Sequence, residues 1–291
     1  MSEQINKLIM LRILLTTVLF SLVMPDKALV QSSCALHIAS FNIHYIVPND
    51  KNDDWGERKQ AVTRVLKDID ADIVAFQEME TFDGGHYSNR NLQLAWIQSS
   101  TSGYKNAATG DPEIFPSTQP IIYKAEKFTV VDQGFFFFSE TPDKIYSRQW
   151  NGGYPYFCSW VRFRSRCCAK DFFMFNIHND YKSRGNRLKT SGLVADRVEK
   201  IAQGNLPIIV LGDFNAPKGF KEIRLLEAIG LRVVPSSGAT NRILGMHILP
   251  AIDHILISKE FRPQSEIKVW RNRYDGVYPA DHYPISAKLR F

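Results

Sequence analysis

Cysteine is scarce in this chain, and its few positions exclude one class of site. Cys34, Cys158, Cys167 and Cys168 are the only four among 291 residues. Their spacing matches no zinc-binding pattern, which sets a structural zinc site aside. Internal repeats and low-complexity segments are missing too, and glycine and proline are scattered rather than clustered. That leaves no linker to part a second domain from the first. Long apolar runs are also lacking. The uninterrupted stretch from Ile13 to Met24 is short for a membrane span, and Arg12 interrupts any longer one. Charge of one sign does not dominate. A formal net charge of +6 inclines the chain only mildly toward anionic partners such as nucleic acid, phosphorylated metabolites or anionic lipid.

What is present suits one large folded unit. Hydrophobic residues make up 44% and aromatics 12%, ample for a substantial core. Lys7 precedes the apolar N-terminal run, and Pro25 with small or polar residues follows it. This reads as a secretory signal over residues 1–32 with cleavage after Ser32, and a retained membrane anchor is the alternative. Residues 33–291 then form a single domain, secreted or periplasmic, with no stable membrane span and nothing that specifies an oligomer. Cys34 invites a lipoprotein reading, but Gln31-Ser32-Ser33 is a poor lipobox. Export permits disulfides, and one bridge involving the Cys167-Cys168 pair is expected, its partner open.

Beyond the leader, strands and helices alternate. "ALHIASFNIHY" (35–45) reads as a strand, "WGERKQAVTRVLKDI" (55–69) as a helix, and "ADIVAFQEME" (71–80) as a buried strand. Two strands follow within 119–138, the phenylalanine run being core. "YFCSWVRFRSR" and "KDFFMFNIHND" form a hairpin, and a helix is expected over 187–203. "PIIVLGDFNAP", "AIDHILIS" and "DHYPISAKLRF" supply the remaining strands. Many strands with few helices predict an α/β chain of packed sheets with helices outside.

The ends of these strands share one chemistry. Asn42, Glu78, His178, Asp180, Asp213, Asn215, Asp253, Asp281 and His282 all fall at or near strand tips. Each alone is an ordinary turn former, strand cap or satisfied histidine. So many amides, carboxylates and imidazoles together point to a site, because loops at sheet ends are where sites gather.

In this order, "SFNIH", "FQEME", "FNIHND", "LGDFNAP", "AIDHILIS" and "ADHYPI" resemble the endonuclease/exonuclease/phosphatase superfamily, the fold of pancreatic-type deoxyribonuclease. The resemblance runs from about residue 36 to the C-terminus and is strongest to secreted bacterial members. It implies a four-layer α/β sandwich, with two packed mixed β-sheets flanked by helices and the site at one rim. It also implies metal-assisted hydrolysis of a phosphate ester. Glu78 would be the main ligand of a hard divalent cation, Mg²⁺ first and Mn²⁺ as the alternative, with Asn42 and Asp281 completing the shell. Asp213 would orient and deprotonate water, and Asn215 would donate to a phosphate oxygen. His282, oriented by Asp253, and His178 would contact the phosphate. By the same resemblance, a phosphate-gripping arginine is replaced by Tyr156 and a supporting glutamate by Ser117. Arg148, Arg184 or Arg187 could supply the missing cation, and Asp180 the missing support.

Basic stretches near these tips are candidate substrate contacts. Lys182, Arg184 and Arg187 follow His178 and Asp180 directly. Trp270, Arg271, Arg273 and Tyr274 precede Asp281, a mixture suited to stacking on bases and gripping backbone. Arg162, Arg164 and Arg166 alternate along one strand face, which reads first as a solvated surface. The expectation is a secreted, Mg²⁺-dependent phosphoesterase, a phosphodiesterase first, with nucleic acid among its substrates. A sphingomyelinase-like enzyme or small-molecule phosphatase is the alternative. A silent module of the same fold should have lost Glu78, Asp213, Asp253 or His282, and the chain keeps all of them.

Overall fold

The central strands are apolar and buried on both faces, and their two-residue period decides which side chains meet between the sheets and which meet the helices. The computed structural model describes residues 34–46, 55–79, 82–83, 86–87, 91–150, 154–203, 206–242 and 249–291. The expected signal segment lies outside them. Chain order begins β1 (Ala35–Asn42), α1 (Trp55–Ile69), β2 (Ile73–Gln77), β3 (Phe82–Asp83), β4 (His86–Tyr87), α2 (Leu92–Ser100), β5 (Tyr104–Ala107), β6 (Ile121–Lys124) and β7 (Phe128–Phe137). It continues β8 (Phe157–Ser165), β9 (Asp171–His178), α3 (Arg184–Ile201), β10 (Ile208–Asp213), α4 (Lys221–Glu227), β11 (Arg232–Val233) and β12 (Asp253–Ile257). The chain closes with β13 (Arg262–Pro263), β14 (Lys268–Val269) and β15 (Ile285–Arg290).

One sheet runs β13-β15-β1-β2-β6-β5, with β14 also on β15; the other runs β11-β12-β10-β9-β8-β7. Each is mixed, because β1 and β2 are parallel, as are β9 and β10, while their neighbours are antiparallel. Between the sheets, Leu36, Ile38 and Ile73 meet Phe172, Met174, Ile209, Leu211 and Ile255. The intervening residues face outward: Ala39, Phe41, Val74 and Phe76 pack with α1 and α2, and Phe173, Phe175 and Val210 pack with α3 and α4. The result is a four-layer α/β sandwich.

The helix over 55–69 forms as expected. The next expected helix starts at Arg184 instead of 187, because Ser183 caps it by accepting the Asn186 N–H. Phe136, Phe137 and Phe138 are buried, as core phenylalanines should be. Arg162 and Arg164 both bond Asp171 across the β8–β9 pair, so their face is structural. Cys34 is disulfide-bonded to Cys167, across a sequence separation of 133, and Cys158 and Cys168 are free. The bridge takes the thiol that a lipid anchor would need. Among the described residues no helix is long and apolar enough to cross a membrane.

Candidate active site

The inward-facing positions of the central strands turn from apolar to polar toward one rim. Along β1 they read Leu36, Ile38, Ser40, Asn42; along β9, Phe172, Met174, Asn176, His178; along β10, Ile209, Leu211, Asp213. The first polar layer is a buried network: Gln77 donates to Asn176 (2.6 Å) and Ser40 (3.1 Å), and Asn176 donates to the Phe76 carbonyl (2.8 Å). One step further out stand the ionisable groups. Gly212 (φ +138°) makes the step possible, since a Cβ there would lie 2.0 Å from the Ile177 carbonyl oxygen. That close approach sets Asp213 beside His178 on adjacent strands. Glu78 follows β2 with φ +55° and Asn215 follows β10 with φ +48°, backbone values uncommon outside glycine that turn both side chains into the rim.

There the tip residues meet. Asn42 donates to Glu78 (3.1 Å) and to Asp213 (3.2 Å), while its carbonyl accepts the His44 N–H. His178 Nε2 lies 3.4 Å from Glu78 and 3.8 Å from Asp213. His282 Nδ1 is 2.9 Å from Asp253, and its Nε2 is 3.8 Å from Asp213. Asn215 gives its backbone N–H (2.8 Å) and side-chain amide (3.2 Å) to Asp213. His44 Nδ1, which the sequence did not single out, sits 3.5 Å from Glu78 and 3.4 Å from Asp281.

Environment divides these groups by charge. Burial opposes ionisation of Glu78, yet His44, His178 and Asn42 outweigh it and hold the carboxyl at about 2. Asp213 is pushed up to about 8 by burial and by Asp253, against the pull of His282. Burial works against the His282 imidazolium, but Asp253 and Asp213 raise it well above the ordinary histidine value. His178 moves the other way, lowered by burial despite Glu78. One imidazole is therefore held charged and the other neutral.

Two overlapping groups could hold a metal ion: Glu78, His178 and Asp213, and Asp213, Asp253 and His282. The expected oxygen set also fits a hard cation in part. Glu78 is ionised and 18% exposed, and Asp281 Oδ1 is buried with no hydrogen-bond partner among the described residues. Asn42 turns its oxygen to the His44 N–H and its NH₂ to the carboxylates.

The flanking residues named as substrate contacts fall differently. Asp180 is consumed by the Lys182 and Ser183 N–H groups and the Asn186 amide, so it makes no bond to His178. Arg187 donates to the Asp180 and Tyr181 carbonyls, and both Arg184 and Arg187 face the buried Glu222. Arg184 remains 60% exposed, with its guanidinium over the Phe220 ring. Trp270 is buried in the core and donates to Ser286, which corrects its reading as a stacking platform. Arg271 clips the Ser237 and Ala239 carbonyls. Tyr156 packs edge-on against His178, with ring centroids 4.8 Å apart. The Ser117 carbonyl accepts from Asn91.

The architecture recurs in solved structures. An endonuclease/exonuclease/phosphatase family protein of Bacteroides thetaiotaomicron is 26% identical with a TM-score of 0.75, over 89% of this chain and 98% of that one. The mannosyl-6-phosphatase Bt3783 of the same organism is 26% identical with a TM-score of 0.74, over 88% of this chain and 100% of that one. D. rerio TDP2, complexed with single-strand DNA product, shares the fold at 12% identity and a TM-score of 0.64, over 88% of this chain and 98% of that one. No curated protein matches the chain by sequence. The family model described as Endonuclease/Exonuclease/phosphatase family matches residues 39–282, and the chain belongs to that family.

Proposed function

We propose that this protein is an exported, divalent-metal-dependent phosphoester hydrolase. The observation that carries the reading is Asp213. It is a buried carboxylate at about 8, placed between a charged imidazole and a neutral one beside an ionised glutamate. A carboxylate poised near neutrality suits a general base for water, and Asn215 fixes its orientation. His282, anchored by Asp253, presents positive charge where phosphoryl oxygens would gain negative charge. His178 offers a neutral donor to the same oxygens. Glu78 and Asp281 would hold Mg²⁺, or Mn²⁺ in its place, and the cation when bound neutralises charge on the phosphoryl group. Export is supported by the signal-like N-terminus and by the Cys34–Cys167 bridge, since disulfides persist in oxidising compartments.

A second reading, a small-molecule phosphatase, is favoured by Tyr156. Where a cation would grip a diester backbone stands a phenol that burial and nearby carboxylates keep neutral, and one relative is a mannosyl-6-phosphatase. The test is turnover of the mature protein with and without Mg²⁺ on DNA, RNA, sphingomyelin, mannose 6-phosphate and bis-p-nitrophenyl phosphate. Metal-dependent release of product from any of these, lost in Glu78→Gln, supports the proposal. Failure on all of them rejects it.

A further inference from the structure

The loop that leads into Asp281, and the segment around Arg242 that bonds to it, carry cations that this chemistry does not use. The guanidinium carbons of Arg242 and Arg273 lie 4.0 and 4.5 Å from the centroid of the Tyr278 ring. Both arginines are exposed. The nearby acids are engaged elsewhere: Asp275 pairs with Arg64, and Asp281 faces His44. Among the described residues, no carboxylate pairs with either guanidinium.

The cluster is fastened to the site by backbone. The Arg242 N–H donates to the Asp281 carbonyl (2.7 Å), and its guanidinium donates to the Ala280 carbonyl (3.2 Å). Asn241 pairs with His282 in an isolated bridge. Tyr278 also packs on Tyr283, with ring centroids 5.9 Å apart. Like charges sharing one ring repel each other, and an anion between them relieves the repulsion. Guanidinium groups match phosphate oxygens in geometry as well as charge. The local field is already felt by Tyr278, whose hydroxyl is lowered by the hydrogen bond from Arg273 and further by Arg242.

We propose that Arg242 and Arg273 form a subsite for a second phosphate carried on the same molecule as the scissile one. The inference rests on the phosphoesterase reading and narrows it to substrates bearing two phosphate groups. A sugar bisphosphate and a nucleotide with a neighbouring phosphate present the same chemistry, and matched pairs tell them apart.

The test uses the mature protein with Mg²⁺. The first pair is fructose 6-phosphate against fructose 1,6-bisphosphate. The second is thymidine 5′-(p-nitrophenyl phosphate) with and without a 3′-phosphate. The wild type should prefer the doubly phosphorylated member of one pair, and that pair identifies the source. Arg242→Gln and Arg273→Gln should each raise KM for that member about tenfold, the loss of one charge-assisted contact. Turnover number and the singly phosphorylated partner should be nearly unaffected. Inorganic pyrophosphate should also raise the melting temperature of the wild type more than that of the double variant. Turnover without preference, or equal pyrophosphate shifts, overturns the subsite and leaves the phosphoesterase reading standing. No turnover of any of these compounds by the wild type overturns the subsite, and the phosphoesterase reading falls only if the wider substrate panel fails as well.

Discussion

Asp253 Oδ2 stands 2.9 Å from His282 Nδ1, while the other ring nitrogen of His282 lies 3.8 Å from Asp213. The pair joins β12 to the chain just before β15, two strands that belong to different sheets. A carboxylate that fixes the tautomer and charge of an imidazole acts through it. Asp253→Asn should therefore leave melting nearly unchanged and lower kcat by about 10²-fold or more. His282→Ala and the double variant should be equally impaired, because the two residues work as one unit. Multiplicative losses would show that they act separately.

The proposed metal dependence can be tested at Glu78. A carboxyl held at about 2 is ionised at every pH where the protein is expected to work, and it is partly open to solvent. EDTA should abolish hydrolysis, and Mg²⁺ or Mn²⁺ should restore it. Glu78→Gln keeps the shape but removes the charge, and should stay inactive at high metal. Full turnover in EDTA would remove the cation from the chemistry.

The Cys34–Cys167 bridge closes a sequence separation of 133 residues and holds the start of β1 against the β8–β9 turn. Such a loop restricts the unfolded chain strongly, so Cys34→Ser should lower stability by about 2–4 kcal/mol. Cys168 is free, and Cys168→Ser should melt like the wild type. Dithiothreitol should bring the wild type down to the level of Cys34→Ser. A wild type that is indifferent to reductant would deny the bridge any role.

Much of this was legible in the sequence because its signals were periodic. The apolar runs of β1, β9 and β10 marked buried strands, the carboxylates, amides and imidazoles that end them marked the rim, and the 55–69 helix showed its apolar spacing plainly. The buried layer of Ser40, Gln77 and Asn176 was not legible, since polar residues near a strand end look alike whether they meet solvent or each other. Trp270 and Arg271 misled for a related reason. An aromatic beside a cation has the same pattern whether it is offered to a ligand or folded inward, and here Ser286 and two carbonyls claim them. The short helices α2 and α4 lacked a clear apolar stripe. His44 gave no signal because its role depends on Glu78 and Asp281, which are distant in the chain.

Asp213 carries the sharpest test, because activity and stability should move in opposite directions. Replacing the proposed general base by an amide of the same shape should lower kcat by about 10²-fold or more in Asp213→Asn. The stability effect follows from linkage. The carboxyl titrates from 3.8 in an unperturbed chain and at about 8 when folded, so between those values the folded chain holds the extra proton. Stability therefore falls as pH rises through that window, and the unfavourable contribution is fully present only above pH 8. Asp213→Asn removes the titration. Melted in EDTA, the variant should resemble the wild type at pH 4 and exceed it increasingly as pH approaches 8. A turn-forming role alone predicts a variant that keeps its turnover and melts lower at every pH. Melting and single-turnover hydrolysis on the same samples decide between them.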